Sequence, residues 1–236
     1  MEIRYHGHSC FELIDGETTL LVDPFLSPNN PKADKTAEEV NPTHIALTHG
    51  HADHVADVVA VAQRTGAQCV AMVEVANWLE GQGVENVSDP NLGGTVTFDG
   101  VSIKLVPAWH TNTVPGSDEK PYSAELGTPM GVPAGLIIKM GGLTIYDAGD
   151  TCLFGDMELI GRRHHVDIAL LPIGGHYTMD REDAAYAATL IGAKRVIPIH
   201  YDTFPPIETD VEAFASDLDN HGIEALVIAP GGSAEL

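Results

Sequence analysis

The sequence predicts an α/β fold, and two observations carry that prediction. Short β-rich runs alternate with helical stretches along the 236 residues. Several apolar runs that predict strands are followed directly by His or Asp. These residues lie at the carboxyl ends of strands, where open α/β folds place their ligand-binding sites. The hydrophobic fraction of 44% and the charged fraction of 19% are ordinary for a globular protein. The length fits one large domain or two fused halves.

Seven strands and two helices are expected in the first half of the chain. Apolar and β-branched runs bounded by turn residues indicate strands at residues 2–5, 10–14, 19–22, 44–47, 68–72, 95–98 and 102–107. The first three have no helix between them, which predicts an N-terminal meander or a set of hairpins. Helices are predicted over residues 54–65, ended by Gly66, and over residues 73–80.

Five strands and three helices are expected in the second half. The strands are predicted at residues 135–140, 144–146, 167–171, 195–198 and 225–229. The helices are predicted at residues 156–163, 182–191 and 211–220. Asp180, with Asp183 three residues on, is the expected N-cap of the second of these helices. Gly192 and Gly222 follow the last two, as expected for helix ends.

Residues 107–133 depart from this alternation of predicted strands and helices. The segment carries five prolines and three glycines: Pro107, Pro115, Pro121, Pro129, Pro133, Gly116, Gly127 and Gly131. Such a composition predicts a long loop, and loops of this length are usually functional or disordered. We interpret it as a lid or substrate-facing loop; the alternative is a simple connector.

Charge and cysteine content limit the partners. With 34 acidic and 12 basic residues, the formal net charge is −22, and such a surface repels large nucleic acids. The three cysteines show no CxxC spacing, which favours reduced thiols in the cytoplasm. No apolar run approaches the ~18 residues of a membrane span, and no signal peptide is visible. We therefore expect a cytoplasmic protein that acts on a small molecule, away from membranes.

The most informative motif is the HxHxDH string formed by His49, His51, Asp53 and His54. Three imidazoles and a carboxylate within six residues suit a cation such as Zn, Mn, Fe or Ni better than they suit a core. The string follows a predicted buried strand and precedes a predicted helix. It therefore lies on the loop at a strand's carboxyl end.

Three further candidates follow apolar strand runs in the same way: His110, Asp150 and His200. Taken singly, each is more often a loop residue with a satisfied hydrogen bond than a metal ligand. Together with HxHxDH, they predict one shared metal site built from distant parts of the chain.

This ordered set, preceded by Asp23 at another strand end, resembles the metallo-β-lactamase superfamily. The resemblance spans residues 2–230. Two further motifs resemble the UlaG-like branch, especially the group called UPF0173. They are the opening Tyr5-His6-Gly7-His8-Ser9-Cys10-Phe11 and the later Pro172-Ile173-Gly174-Gly175-His176-Tyr177-Thr178-Met179.

The resemblance implies a four-layer αββα sandwich, with residues 1–236 as a single domain made of two pseudo-symmetric halves, roughly 1–120 and 121–236. It also implies two divalent metal ions, Zn or Mn first, with Fe or Ni possible. The first ion would bind His49, His51 and His110; the second would bind Asp53, His54 and His200; Asp150 would bridge them. Asp53 and His54 are the expected catalytic residues. Asp23 would orient a ligand imidazole, and His8 and His176 are candidate outer-shell or substrate-contacting residues.

The implied function is hydrolysis of a small ester, lactone or phosphodiester by metal-bound hydroxide. One alternative is an iron-dependent oxidoreductase similar to persulfide dioxygenases, which share HxHxDH. A metal-stabilised binding protein without turnover is a further alternative. The alternative role for His8 is structural, as a residue of a turn whose imidazole hydrogen-bonds the backbone. Homo-oligomers are common in this branch, and one is possible here.

Overall fold

The first sheet of the computed structural model begins with the predicted N-terminal meander. Its seven strands lie in the order β16-β1-β2-β3-β4-β5-β6. They are β1 (Glu2–Gly7), β2 (Cys10–Asp15), β3 (Thr18–Val22), β4 (His44–Ala46), β5 (Gln68–Val70), β6 (Val87–Ser88) and β16 (Gly232–Glu235). β3 to β6 are parallel, so their carboxyl ends share one edge. The structure describes residues 1–115 and 127–236.

The second sheet also has seven strands, in the order β15-β14-β13-β12-β11-β8-β7. They are β7 (Thr95–Phe98), β8 (Val101–Pro107), β11 (Ala134–Met140), β12 (Leu143–Asp147), β13 (Ile168–Pro172), β14 (Arg195–Ile199) and β15 (Glu224–Ala225). β12 to β15 are parallel. The strand predicted over 225–229 was wrong in its bounds, since β15 covers only Glu224–Ala225 and ends where the prediction begins.

Six helices flank the sheets in the described part of the chain. They are α1 (Ala52–Val55), α2 (Val58–Thr65), α3 (Val73–Gly81), α4 (Met157–His164), α5 (Arg181–Ile191) and α6 (Val211–Asp219). The cap prediction is confirmed, because the Asp180 carboxylate accepts a hydrogen bond from the Asp183 N–H at 2.9 Å.

The single helix predicted over 54–65 was wrong, since α1 and α2 are separate. The helix is interrupted at Asp57. Its carboxylate accepts hydrogen bonds from the Leu26 N–H at 2.7 Å and from Asn29 Nδ2 at 2.9 Å. The Asp57 N–H donates to the Pro24 carbonyl at 3.1 Å instead of to a helical partner. These contacts attach the start of α2 to the loop after β3.

Three buried apolar clusters define four layers. One cluster lies between the sheets and joins residues of both, such as Phe11 and Leu136. Another packs the second sheet against its helices, as Ile160 of α4 shows. The third packs the first sheet against α2 and α3, as Val61 and Leu79 show. The αββα sandwich is therefore confirmed.

The chain changes sheet between β6 and β7, well before residue 120, and β16 returns to the first sheet. The pseudo-symmetry of two halves stays a prediction. The segment 107–133 is not one structureless loop, because β9 (Thr113–Val114) and β10 (Thr128–Pro129) pair within it. Its residues 116–126, and with them part of the predicted lid, lie outside the described residues. Among the described residues, no helix is long and apolar enough to cross a membrane.

Candidate metal centre

All seven predicted metal ligands come together where strands of both sheets end. Parallel strands place their carboxyl ends at one edge, so residues far apart in sequence can meet there. Asp23 follows β3, the HxHxDH residues follow β4, His110 follows β8, Asp150 follows β12 and His200 follows β14. The short helix α1 starts inside the motif and turns Asp53 and His54 back towards the first two histidines.

Asp150 lies at the centre of the cluster of potential metal ligands. Its Oδ2 atom lies 3.1 Å from His200 Nε2, 3.5 Å from His54 Nε2, 3.6 Å from His110 Nε2 and 4.0 Å from His49 Nε2. The carboxylate is fully buried, so one anionic oxygen faces four imidazole nitrogens out of contact with water.

Two groups of potential ligands surround Asp150. Within each group, one atom of every residue lies within 4.8 Å of the others. The groups are His49, His51 and His110, and His8, Asp53, His54 and His200; a third group, Asp23, His49 and His54, shares one residue with each of them. In the first group, His49 Nε2 is 2.9 Å from His51 Nδ1. Two imidazole nitrogens this close must share either a proton or a cation.

The donor atoms fit divalent cations. Three buried atoms of the cluster have no hydrogen-bond partner among the described residues: His54 Nε2, Asp150 Oδ1 and His200 Nδ1. Buried polar atoms are almost always paired. Burial alone lowers the pKa of His54, but Asp150 and Asp23 outweigh it and raise that pKa well above its usual value. The two carboxylates therefore favour a positive charge at His54 Nε2, which a proton supplies in the metal-free protein and a divalent cation would supply in its place.

Burial favours the neutral form of the His49 and His51 imidazoles. Burial lowers the pKa of His49 well below its usual value and lowers that of His51 to about 4, each with help from neighbouring histidines. Neutral imidazole offers the lone pair that a metal ion needs. Nitrogen and carboxylate oxygen donors without thiolate suit Zn, Mn, Fe or Ni.

Asp23 fixes the orientation of two imidazoles from behind. Its Oδ2 accepts a hydrogen bond from His54 Nδ1 at 2.7 Å and from the Thr48 hydroxyl at 2.6 Å; its Oδ1 accepts from the Thr48 N–H at 2.9 Å. Since the Thr48 hydroxyl donates to Asp23, it accepts from His49 Nδ1 at 3.0 Å. Both rings therefore carry a proton on Nδ1, which leaves Nε2 as the nitrogen that would bind a cation.

The backbone around the centre is strained. Within residues 1–115 and 127–236, four of the five non-glycine residues with positive φ lie here: His8 (60°), Asp23 (44°), His200 (53°) and Asp202 (57°). Strain of this kind concentrates at functional sites, where the surrounding structure enforces it. Gly149 (φ 58°) is required beside Asp150, since a Cβ there would lie 2.9 Å from Thr48 Cβ.

The structure places the two remaining candidates differently. His8 is buried next to Asp53 and His200, with its Nε2 atom 3.1 Å from Asp53 Oδ2. Burial lowers the pKa of His8 to about 4. His176 is exposed, packs against Tyr177 with ring centroids 4.5 Å apart, and is in none of the ligand groups. A substrate contact by His176 stays a prediction.

Four residues with evident roles at the site were missed from the sequence. Thr48 is described above; the Asn112 side chain accepts from the Gly50 N–H at 2.9 Å and so holds the HxHxDH loop. Thr203 hydrogen-bonds His8. Asp147 is fully buried near the cluster, and burial raises its pKa to about 8. Adjacency to the motifs was the only available signal, since Thr48 directly precedes His49.

Fold and cluster together define a metallo-β-lactamase-type protein. Residues 2–200 match the family model described as the beta-lactamase superfamily domain. A UPF0173 metal-dependent hydrolase of Shouchella clausii is 44% identical over 236 residues, which cover all of both chains. The chain therefore belongs to the UPF0173 family of metal-dependent hydrolases within the beta-lactamase superfamily.

Solved structures agree with this assignment. A metallo hydrolase of the hyperthermophilic archaeon Ignicoccus hospitalis is 34% identical, with a TM-score of 0.85, over 100% of this chain and 98% of that one. An isothiocyanate hydrolase from Delia radicum gut bacteria is 21% identical, with a TM-score of 0.77, over 100% and 99%. The second likeness concerns the fold alone.

Proposed function

We propose that this protein is a dinuclear metal-dependent hydrolase that cleaves small esters, lactones or phosphodiesters. The observation that carries the proposal is the Asp150 carboxylate, which lies between the two groups of ligands and within 4.0 Å of four imidazole nitrogens. A single carboxylate between two sets of donors is suited to bridge two cations. Zn and Mn are the preferred ions because the donors are imidazole and carboxylate.

In this proposal the residues divide by group. His49, His51 and His110 would hold the first ion; Asp53, His54 and His200 would hold the second. Asp150, which faces imidazoles of both sets, would contact both ions. When bound, two divalent ions lower the pKa of a shared water to near neutrality and polarise the carbonyl or phosphoryl oxygen of the substrate.

Asp53 is the accessible acid of the centre. Its side chain is 32% exposed, whereas that of Asp150 is 3% exposed. Burial raises the pKa of Asp53, but the hydrogen bond from His8 and the nearby His54 outweigh burial and lower it below the usual value. Asp53 is therefore an ionised group that can accept a proton as the bond breaks. His54 is completely buried and acts on the reaction as a ligand.

Charge and thiol chemistry support a small substrate in the cytoplasm. The net charge of −22 opposes the approach of large nucleic acids, while bound cations reverse the field inside the site. The three cysteines are unpaired, as is usual in a reducing compartment. We propose the 107–133 segment, which starts three residues before His110, as the part that selects the substrate.

The test is hydrolysis by protein reconstituted separately with Zn and with Mn. Parallel panels of p-nitrophenyl phosphodiesters and of lactones would be compared for wild type, Asp53→Ala and His51→Ala. We expect metal-dependent turnover of one panel, loss of turnover in both variants and retention of their folded far-ultraviolet spectra. Near-wild-type turnover in either variant under metal-replete conditions would contradict the proposal. Oxygen consumption with one iron per chain would favour the oxidoreductase alternative.

A further inference from the structure

The His8 side chain links the metal centre to a residue outside it. Its Nε2 atom is 3.1 Å from Asp53 Oδ2, and its Nδ1 atom is 2.9 Å from the Thr203 hydroxyl oxygen. Both nitrogens thus have a partner. The ring is buried and packs on the His200 ring, with centroids 4.1 Å apart, and edgewise on Phe25 at 5.4 Å.

The direction of these hydrogen bonds follows from the partners. An ionised carboxylate only accepts, so His8 Nε2 carries a hydrogen and donates it to Asp53. In a neutral ring, Nδ1 is then an acceptor, and the Thr203 hydroxyl must donate to it. The competing acceptor of that hydroxyl, the Tyr201 carbonyl, is farther away at 3.3 Å. Thr203 therefore selects the His8 tautomer that can hold Asp53.

The backbone of His8 is fixed as firmly as its ring. Its carbonyl accepts hydrogen bonds from the Tyr5 hydroxyl at 2.8 Å and from the His200 N–H at 2.7 Å. These bonds hold the residue in a left-handed turn, φ 60°, which non-glycine residues adopt rarely. The contact with the His200 N–H also ties the turn to the loop that carries another member of the same ligand group.

We propose that His8 is a positioning residue that holds the Asp53 carboxylate towards the second metal ion, and that the Thr203 hydroxyl sets its tautomer. This inference rests on the proposed dinuclear site. The rival role for His8 is direct ligation, since its ring lies in the same group as Asp53, His54 and His200. A ligating Nε2 would carry no hydrogen, so the two roles differ in how they respond to substitution.

The experiment measures the affinity of each of the two Zn or Co equivalents by competition with a chromophoric chelator. His8→Gln keeps an N–H near the position of Nε2, whereas His8→Leu removes it. Thr203→Ser keeps the hydroxyl and Thr203→Val removes it without touching the strained turn. His44→Gln is the matched control, because His44 lies at the opposite end of β4 and bonds Thr43.

We expect His8→Leu to weaken the second equivalent tenfold to a hundredfold, the range found for groups that orient metal ligands. The first equivalent should be unchanged. His8→Gln should stay within about threefold of wild type, because an amide N–H can still donate to Asp53. Thr203→Val should weaken binding of the second equivalent about fivefold or more. Thr203→Ser keeps the hydroxyl and should bind the second equivalent as the wild type does. His44→Gln should change neither affinity.

Several results would overturn the proposal. Equal losses in His8→Gln and His8→Leu, with a changed cobalt d–d spectrum, would make His8 a ligand. Unchanged affinities in His8→Leu and Thr203→Val, even with lowered thermal stability, would make both residues merely structural. Either result would leave the proposed function standing if wild type binds two equivalents and hydrolyses substrate. Fewer than two equivalents in wild type would overturn both proposals.

Discussion

Replacing Asp23 by Asn should change which ring nitrogen of His54 carries the proton. Both groups of potential metal ligands depend on the hydrogen bonds that Asp23 makes. Asn tolerates the left-handed backbone of this position, where φ is 44°. An amide NH₂ in place of Oδ2 would donate, not accept, towards His54 Nδ1 and the Thr48 hydroxyl. The His54 proton would then move to Nε2, the atom that faces Asp150 at 3.5 Å. A protonated Nε2 cannot bind a cation.

The size of the effect follows from the bonds involved. Hydrogen bonds to an ionised group contribute about 1.5–3 kcal/mol each, and two of the three at Asp23 are lost or inverted. Partial compensation by the amide leaves an expected loss of about 3 kcal/mol in unfolding free energy of the metal-free protein. Metal affinity should fall tenfold to a hundredfold, or about 1.4–2.7 kcal/mol.

The assay combines chelator competition with urea denaturation in the presence of EDTA. Both metal equivalents should weaken in Asp23→Asn, since Asp23 orients His54 directly and His49 through Thr48. Thr48→Val should weaken only the first metal equivalent, because His49 loses its hydrogen bond to the Thr48 hydroxyl while His54 keeps its bond to Asp23. Asp167→Asn is the control, since Asp167 accepts a backbone N–H at the other end of the second sheet. Wild-type affinity for both equivalents in Asp23→Asn would refute the reasoning.

Three further predictions concern residues outside the ligand set. His6 is buried against Glu12; burial lowers its pKa, but its two carboxylate partners outweigh burial and raise it. The stability from this pairing is complete below the unfolded pKa and is lost as pH rises through the folded one. His6→Gln should therefore cost about 3 kcal/mol in urea denaturation at pH 6 and less at pH 9. Burial raises the pKa of Asp147 to about 8, so the folded state keeps a proton that the unfolded state loses above pH 4. Asp147→Asn should gain stability over the wild type, by about 1.4 kcal/mol per pH unit between pH 5 and 8, in metal-free protein. Gly161→Ala should lower the unfolding free energy by about 3 kcal/mol without changing metal stoichiometry, because its Cβ would lie 2.0 Å from the Ile191 carbonyl oxygen.

Each of these has a result that would contradict it. A pH-independent cost of His6→Gln would show that the pairing is not ionic. Parallel stability curves for wild type and Asp147→Asn would show that Asp147 is ionised in the folded state. An unchanged melting temperature in Gly161→Ala would contradict the close packing of α4 against the end of α5.

Periodicity and motif order predicted most of the architecture. Alternating apolar runs indicated twelve of the fourteen strands in the two large sheets, all but β6 and β16. The resemblance supplied the four layers that the three apolar clusters confirm. The break at Asp57 was not predictable, because its cause is a carboxylate that accepts from the loop at Leu26. β16 was missed for a similar reason. Its Gly-Ser-Ala-Glu sequence has little strand propensity and becomes a strand by pairing with β1.

At the site, the sequence predicted which residues meet but not what holds them. HxHxDH and the strand-end residues were identified because metal ligands belong to few residue types. Thr48, Asn112 and Thr203 act through hydroxyl or amide hydrogen bonds. Such residues are common in loops, so no local pattern distinguishes them. The turn at His8 was predicted, whereas its contact with Thr203 joins residues 195 positions apart.

Metal titration of metal-free protein, with hydrolysis followed at each addition, tests the dinuclear hydrolase most directly. The account predicts two equivalents of Zn or Mn per chain, with turnover that requires the second. It also predicts that Asp150→Ala, which removes the carboxylate facing four imidazoles, weakens both equivalents and abolishes turnover. Full turnover with one equivalent, or two unweakened equivalents in Asp150→Ala, would contradict it.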